Sequence, residues 1–132
     1  MKVVIDTSAL VAVLLGEKSR DRIVELTYDT DLIAPASLHW EVGNAFSAMF
    51  KRSRLKLSVA IEAVDRYRDI PIQFVEVDLR EALQLSQELK MYAYDAYFLT
   101  VAKRHRAPLL TLDMGLQEAA RQANVKLLEV TS

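Results

Sequence analysis

The chain is expected to fold as an α/β domain with a mainly parallel sheet. Three observations carry this. Short apolar, β-branched runs alternate with longer stretches of helical periodicity from one end of the chain to the other. Several of those short runs stop at an acid. Three prolines and three glycines are all that punctuate 132 residues, so the connections must be short. That length suits one domain, taken as residues 1–132, with a core of useful size.

The first element organises the rest. Lys2, Val3, Val4 and Ile5 read as a short buried strand that halts at Asp6. Ser8 is a candidate cap for a helix over 9–15, with Gly16 as its stop. Asp6 therefore sits where a strand hands over to a helix, the position at which open α/β sheets gather ligands. A turn or capping role explains a single such acid equally well.

A second helix is expected over 20–28 with Ile23, Val24 and Leu26 inward. A strand over 31–34 follows, closed by Pro35. Residues 36–52 form a long helix whose apolar face comprises Leu38, Val42, Ala45, Phe46, Met49 and Phe50. Glu41 lies at the edge of that face, and Trp40 is expected to pack on an adjacent helix. The next helix, 57–69, is capped by Ser58 with Ile61 and Val64 inward. A strand over 72–77 runs to Asp78, which reads as the structural cap of a helix over 79–90. Residues 94–106 form a helix apolar nearly all round, hence deeply buried, with Asp95 in its first turn. Residues 108–113 are a strand ending at Asp113, the closest echo of Asp6. A helix over 116–123 and a strand over 126–130 complete the pattern.

Composition limits the function. With 52% apolar residues the chain is not a disordered one. No apolar run approaches the roughly 18 residues of a membrane span, so no membrane role is expected. Asp6 interrupts the first apolar run, which argues against a secretory leader. Without cysteine there is no disulfide, thiolate ligand or thiol nucleophile, and a cytoplasmic location is the default. A net charge of −1 gives no bulk attraction to nucleic acid. Two local clusters remain: Lys51, Arg52 and Arg54, and Lys103 and Arg104. Each either steers a polyanion or complements a helix C-terminus. His39 and His105 read as surface residues.

Asp6, Glu41, Asp95 and Asp113 can converge on the carboxyl edge of the sheet if the first strand is central. Four neighbouring carboxylates cannot all ionise unless a positive charge joins them. Mg²⁺ or Mn²⁺ is the fitting partner, because such ions prefer carboxylate and water oxygens and no soft ligand is present. An all-acid site of this kind points to phosphoryl chemistry. Ser8 and Thr111 either orient the acids and metal waters or serve capping and strand propensity.

These residues resemble the PIN-domain ribonucleases, and more narrowly the VapC-like toxins of type II toxin-antitoxin pairs. Val4 to Leu10 is similar to the family's first motif, and Glu41 to Ala45 after Ala34 to Ser37 to the second. Tyr94 to Leu99 is similar to the third, and Leu110 to Asp113 to the fourth. The likeness covers essentially the whole chain. It implies a five-stranded parallel sheet between helices, a three-layer α/β/α arrangement, usually dimeric. It also implies that Asp6, Glu41, Asp95 and Asp113 bind Mg²⁺ or Mn²⁺ and catalyse cleavage of single-stranded or looped RNA, until a cognate antitoxin masks them. Gly43 within the long helix and Met114 after the fourth acid depart mildly from the pattern. Tyr92 and Tyr94 are candidates for stacking on unpaired bases.

Two other enzyme readings fit less well. An aspartyl phosphatase needs a second acid two residues after the first, where Ser8 stands. A phospho-receiver domain needs an acidic pair before its first helix. A non-enzymatic alternative is a catalytically silent, PIN-like protein-binding or regulatory module whose acids hold structure or bind a partner's arginine.

Overall fold

The structure, a computed structural model, describes residues 1–130. Strand β1 (Lys2–Ile5) is followed by α1 (Thr7–Leu14) and α2 (Arg20–Thr27), then by β2 (Asp31–Pro35) and the long α3 (Ser37–Lys51). Next come α4 (Leu57–Arg68), β3 (Ile72–Val75), α5 (Leu79–Leu89) and α6 (Ala93–His105). β4 (Leu109–Leu110) and α7 (Met114–Gln122) close the order.

The sheet runs β3-β2-β1-β4, and every pairing is parallel. The resemblance implied five strands, but four form. The run 126–130 pairs with the sheet at a single bridge, Leu109 to Leu127, held by Leu109 N–H to the Lys126 carbonyl at 2.8 Å and Leu128 N–H to the Leu109 carbonyl at 2.9 Å. β4 is also shorter than the expected 108–113: the Thr111 carbonyl accepts from Gln117 Nε2 at 3.0 Å and its hydroxyl bonds Asp6.

Val3, Val4 and Ile5 are successive and all buried. Successive strand residues point to opposite faces, so both faces of β1 are covered, the layering expected of a parallel sheet. α6 packs across β1, β2 and β4, with Phe98, Leu99, Val101 and Ala102 buried. α1 packs against α2, α3 and α4. Arg66 in α4 donates from Nη2 to the Leu14 carbonyl at 2.6 Å, satisfying an acceptor at the end of α1.

Several inward faces differ from expectation. In α4 the buried residues are Ala60, Ala63 and Tyr67, while Ile61 is 53% exposed and Val64 36%. Two alanines let the helix approach its neighbours closely, and the bulkier stripe is left outside. Lys56 rather than Ser58 occupies its N-cap. In α2 Ile23 is buried but Val24 is exposed. Trp40 is 72% exposed, its ring edge-on to His39 of the same helix at 4.7 Å between centroids, so it is not the packed residue expected. Phe50, at the end of the α3 stripe, is also exposed. His39 is exposed but its Nδ1 lies 3.2 Å from the Tyr67 hydroxyl, and His105 is half-buried rather than on the surface. Asp78 caps α5 by accepting from Arg80 N–H and Glu81 N–H at 3.0 and 3.3 Å.

The orientation of α4 is directly testable by urea unfolding of the isolated chain. Ala63→Leu should lose about 1–3 kcal/mol by overpacking, whereas Ile61→Ser should stay within about 0.5 kcal/mol of wild type. The reverse order would mean that the helix is rotated.

Candidate active site

Parallel strands bring their carboxyl ends to one edge. Asp6 directly follows β1, and Asp113 lies three residues beyond β4. Glu41 is in the second turn of α3, which leaves the end of β2, and Asp95 is in the first turn of α6. β1 lies between β2 and β4, so the chain's order reverses at β1 and opens a crevice there.

Asp6 is the hub. Its extended backbone (φ −94°, ψ 175°) makes it, not Ser8, the N-cap of α1, and Oδ1 accepts from Ala9 N–H at 3.0 Å. Ser8 Oγ donates to the same carboxylate, 2.8 Å from Oδ1 and 3.0 Å from Oδ2, and accepts from Leu112 N–H at 2.9 Å. Thr111 Oγ1 donates to Asp6 Oδ2 at 2.5 Å and accepts from Asp113 N–H at 3.0 Å. One buried hydroxyl thus joins the side chain of one acid to the backbone of another. Asp113 in turn caps α7 by accepting from Leu116 N–H at 3.0 Å, so that helix begins two residues earlier than expected. Gly115 leaves room for this cap, since a Cβ there would stand 3.2 Å from Asp113 Oδ1.

Electrostatics tie the four acids together. Burial pushes Asp6 up from 3.8 to about 6, against the pull of Thr111, Ala9 N–H and Ser8, and the charge of Asp113 adds to the rise. Burial likewise pushes Glu41 up from 4.5 to about 7. The Ser37 and Thr7 hydroxyls favour the Glu41 anion, while Asp95 and Asp6 disfavour it. Asp95 is raised by burial and by Asp113. Glu41 thus feels Asp95 and Asp6, and Asp113 acts on both Asp6 and Asp95.

Thr7 Oγ1 donates to Glu41 Oε1 at 3.3 Å. Glu41 Oε2 is buried with no hydrogen-bond partner, and so is Ser37 Oγ, which lies near Glu41 without hydrogen-bonding geometry. A buried carboxylate oxygen without a donor fits a cation or a proton. Among the described residues no three His, Cys, Asp or Glu side chains are grouped closely enough to hold an ion by themselves. Mg²⁺ does not need such a group, since it takes one or two carboxylates and completes its shell with water and phosphate oxygens. The oxygen-only donor set thus fits a hard divalent cation.

Not every residue singled out from the sequence reaches this edge. Lys51, Arg52 and Arg54 stand at the far end of α3, roughly 15 Å along the helix from Glu41 at 1.5 Å per residue. Lys103 and Arg104 are similarly removed along α6 from Asp95. Lys103 Nζ bonds the Ala123 carbonyl at 3.2 Å, an acceptor at the end of α7. Neither cluster lines the cleft that contains Asp95. Lys90 and Tyr92 do line a cleft of about 580 Å³ that includes Asp95 and Gly115. Lys90, Thr7 and Ser37 were not picked out from the sequence. Ser37 was within reach of it, being one turn before Glu41 on a predicted helix. Lys90 and Thr7 join the site through tertiary packing, which leaves no local signal.

A parallel α/β domain with four acids from four segments gathered at a switch-point edge is the class that fold and site define. The chain matches the family model for the PIN domain over residues 3–122, and it belongs to that family. Comparison with curated protein sequences gives no significant match. Among solved structures, PAE2754 from Pyrobaculum aerophilum is similar in fold (TM-score 0.71, 22% identity, 90% of this chain and 79% of that one). A toxin-antitoxin complex from Klebsiella pneumoniae is similar at TM-score 0.61 and 19% identity, over 84% of this chain and 86% of that one. VapC20 from Mycobacterium tuberculosis, a sarcin-ricin loop cleaving toxin, is similar at TM-score 0.63 and 14% identity, over 89% and 94%.

Two predictions follow from the hub. A raised Asp6 keeps in the folded state a proton that the unfolded chain releases between pH 3.8 and about 6. Its neutral form is fully stabilising below the lower value, and that stability is lost as pH rises through the upper one. At about 1.4 kcal/mol per pH unit the loss is roughly 3 kcal/mol, and Glu41 extends it through about pH 7. Metal-free Asp6→Asn should therefore melt above wild type at pH 8 and close to it at pH 4 in calorimetry. Thr111→Val removes a donor from Asp6 Oδ2 and leaves Asp113 N–H unpaired, and should cost about 1–3 kcal/mol, with Thr111→Ser recovering most of it.

Proposed function

We propose that this chain is a single-domain, metal-dependent endoribonuclease and the toxin component of a type II toxin-antitoxin pair. The observation that carries the reading is the gathering of Asp6, Glu41, Asp95 and Asp113 at one edge, with Glu41 Oε2 buried and unpartnered. The PIN family model and the similar folds of a toxin-antitoxin complex and a sarcin-ricin loop cleaving toxin support it.

In this reading the four acids hold Mg²⁺ or Mn²⁺, each ion taking one or two of them. When bound, such an ion supplies positive charge and Lewis acidity for hydrolysis of an RNA phosphodiester. The chain's own residues do the rest. Asp6 is kept in one rotamer by Ala9 N–H, Ser8 and Thr111. Thr7 orients Glu41 through its hydroxyl. Asp113 is fixed by its cap on α7, and Asp95 gains from the amino end of α6. Lys90, beside Asp95, is the cation placed to meet an incoming phosphate, and the exposed Tyr92 beside it is a stacking surface for a single-stranded or looped RNA.

The partner in this reading is a cognate antitoxin that masks the acids, and the setting is the cytoplasm. No helix among the described residues is long and apolar enough to cross a membrane. Trp40, Leu57 and Ile61 expose apolar surface on α3 and α4, which supports cover by a protein, either the antitoxin or a second copy of the chain.

With Mn²⁺ supplied, the purified protein should cut RNA, and chelation with EDTA should stop it. Asp6→Asn and Glu41→Gln should each lower the rate by about 10²-fold or more while circular dichroism shows the fold kept. Undiminished cleavage in either variant would remove these acids from the reaction.

A further inference from the structure

We propose that the cleft at the carboxyl ends of β2 and β3 is a base-binding subsite that seats one unpaired nucleobase of the RNA next to the scissile phosphate, with Phe74 and Tyr97 as its aromatic surfaces and Glu76 as the group that reads the base edge. The inference deepens the nuclease reading and rests on it.

The cleft measures about 600 Å³ and is lined by Ser37, Phe74, Glu76, Leu79 and Tyr97 among others. That is within the usual range for small-molecule sites. It adjoins the acids. Ser37 lines it one helical turn before Glu41, and Tyr97 lines it from the first two turns of α6, the part of the helix that carries Asp95. A base seated there belongs to a nucleotide whose phosphate lies close to the carboxylates.

Its chemistry suits a base. Phe74 is 43% exposed and Leu79 56%, so apolar surface has been left open at the tip of the edge strand. Aromatic rings of this kind stack on any base. The polar groups are few. Ser37 Oγ is buried and unpartnered, and Glu76 stands exposed in the lining. An ionised Glu only accepts hydrogen bonds. It pairs with the exocyclic amino group of cytosine, adenine or guanine. Uracil offers one ring N–H flanked by two carbonyl oxygens that repel the anion. A partner protein's apolar side chain would fill the aromatic part and leave Ser37 and Glu76 unused.

The test has two arms. In the first, amide NMR spectra of the full chain are recorded with 5′-AMP, CMP, GMP and UMP at millimolar concentration. The first three should shift the signals of Ser37 and of residues 74–79, UMP should shift them least, and Phe74→Ala should weaken the effect about ten-fold. This arm needs no cleavage, so it stands even if the nuclease reading fails. In the second, cut sites in total RNA are mapped for wild type and Glu76→Gln, an exposed isosteric change that spares the fold. The variant should keep its fold by circular dichroism and newly accept uracil at one position flanking the cut. The proposal is overturned by nucleotides that leave the cleft's signals in place, by an unaltered flanking-base preference, or by a Phe74→Ala variant that loosens a bound protein partner while nucleotide shifts persist unchanged.

Discussion

Like charges gathered at one edge are the constraint around which this molecule is built. Burial raises Asp6, Glu41 and Asp95, and the charges of neighbouring acids raise them further. Left alone, such a cluster would open the fold. The chain counters it with hydroxyls and amides: Ala9 N–H, Ser8 and Thr111 on Asp6, Thr7 on Glu41, and Leu116 N–H on Asp113. None of these donors carries a full charge. The negative potential of the edge is therefore held in position but not cancelled, which is the state a hard cation would complete.

The sheet supplies the rigidity that this requires. β1 is buried on both faces and paired on both sides, so Asp6 projects from the best-anchored strand of the four. Glu41 and Asp95 ride on helices whose apolar sides are buried, with Leu38, Val42 and Phe46 near one and Phe98 and Leu99 near the other. Capping and site-building are the same act here. Asp6 and Asp113 each begin a helix with one oxygen. A turn role and a site role, which the sequence presents as rivals for Asp6, turn out to be compatible.

Strong local patterns were legible beforehand. The β1 run, the Asp78 cap and the buried α6 are each visible in a few adjacent residues, and the alternation of elements yields the parallel sheet. What was misjudged depends on choices between two similar faces. In α4 the stripe of Ile61 and Val64 is more apolar than the stripe of Ala60 and Ala63, yet close approach of the helix favours the small residues. Trp40 faces outward for a related reason: the buried stripe of α3 is already filled by Leu38, Val42 and Phe46. The ends of β4 and the segment after α7 were read as longer strands because their residues are apolar, but the Thr111 carbonyl accepts from Gln117, its hydroxyl bonds Asp6, and the later segment pairs at a single bridge, Leu127. At the site itself, the acids announce themselves by position after strands or in the first two turns of helices. Thr7 and Lys90 arrive from tertiary packing, and the basic clusters owe their distance from the acids to the length of the helices that carry them.

Ser8 Oγ and Thr111 Oγ1 stand 3.3 Å apart, and either can be the donor. Hydroxyl protons rotate freely at small cost. When Asp6 gains or loses a proton, or exchanges it for a cation, this pair can reverse its polarity with no displacement of heavy atoms. The seam between the first and fourth strands thus carries a reversible dipole whose turning leaves the backbone where it is.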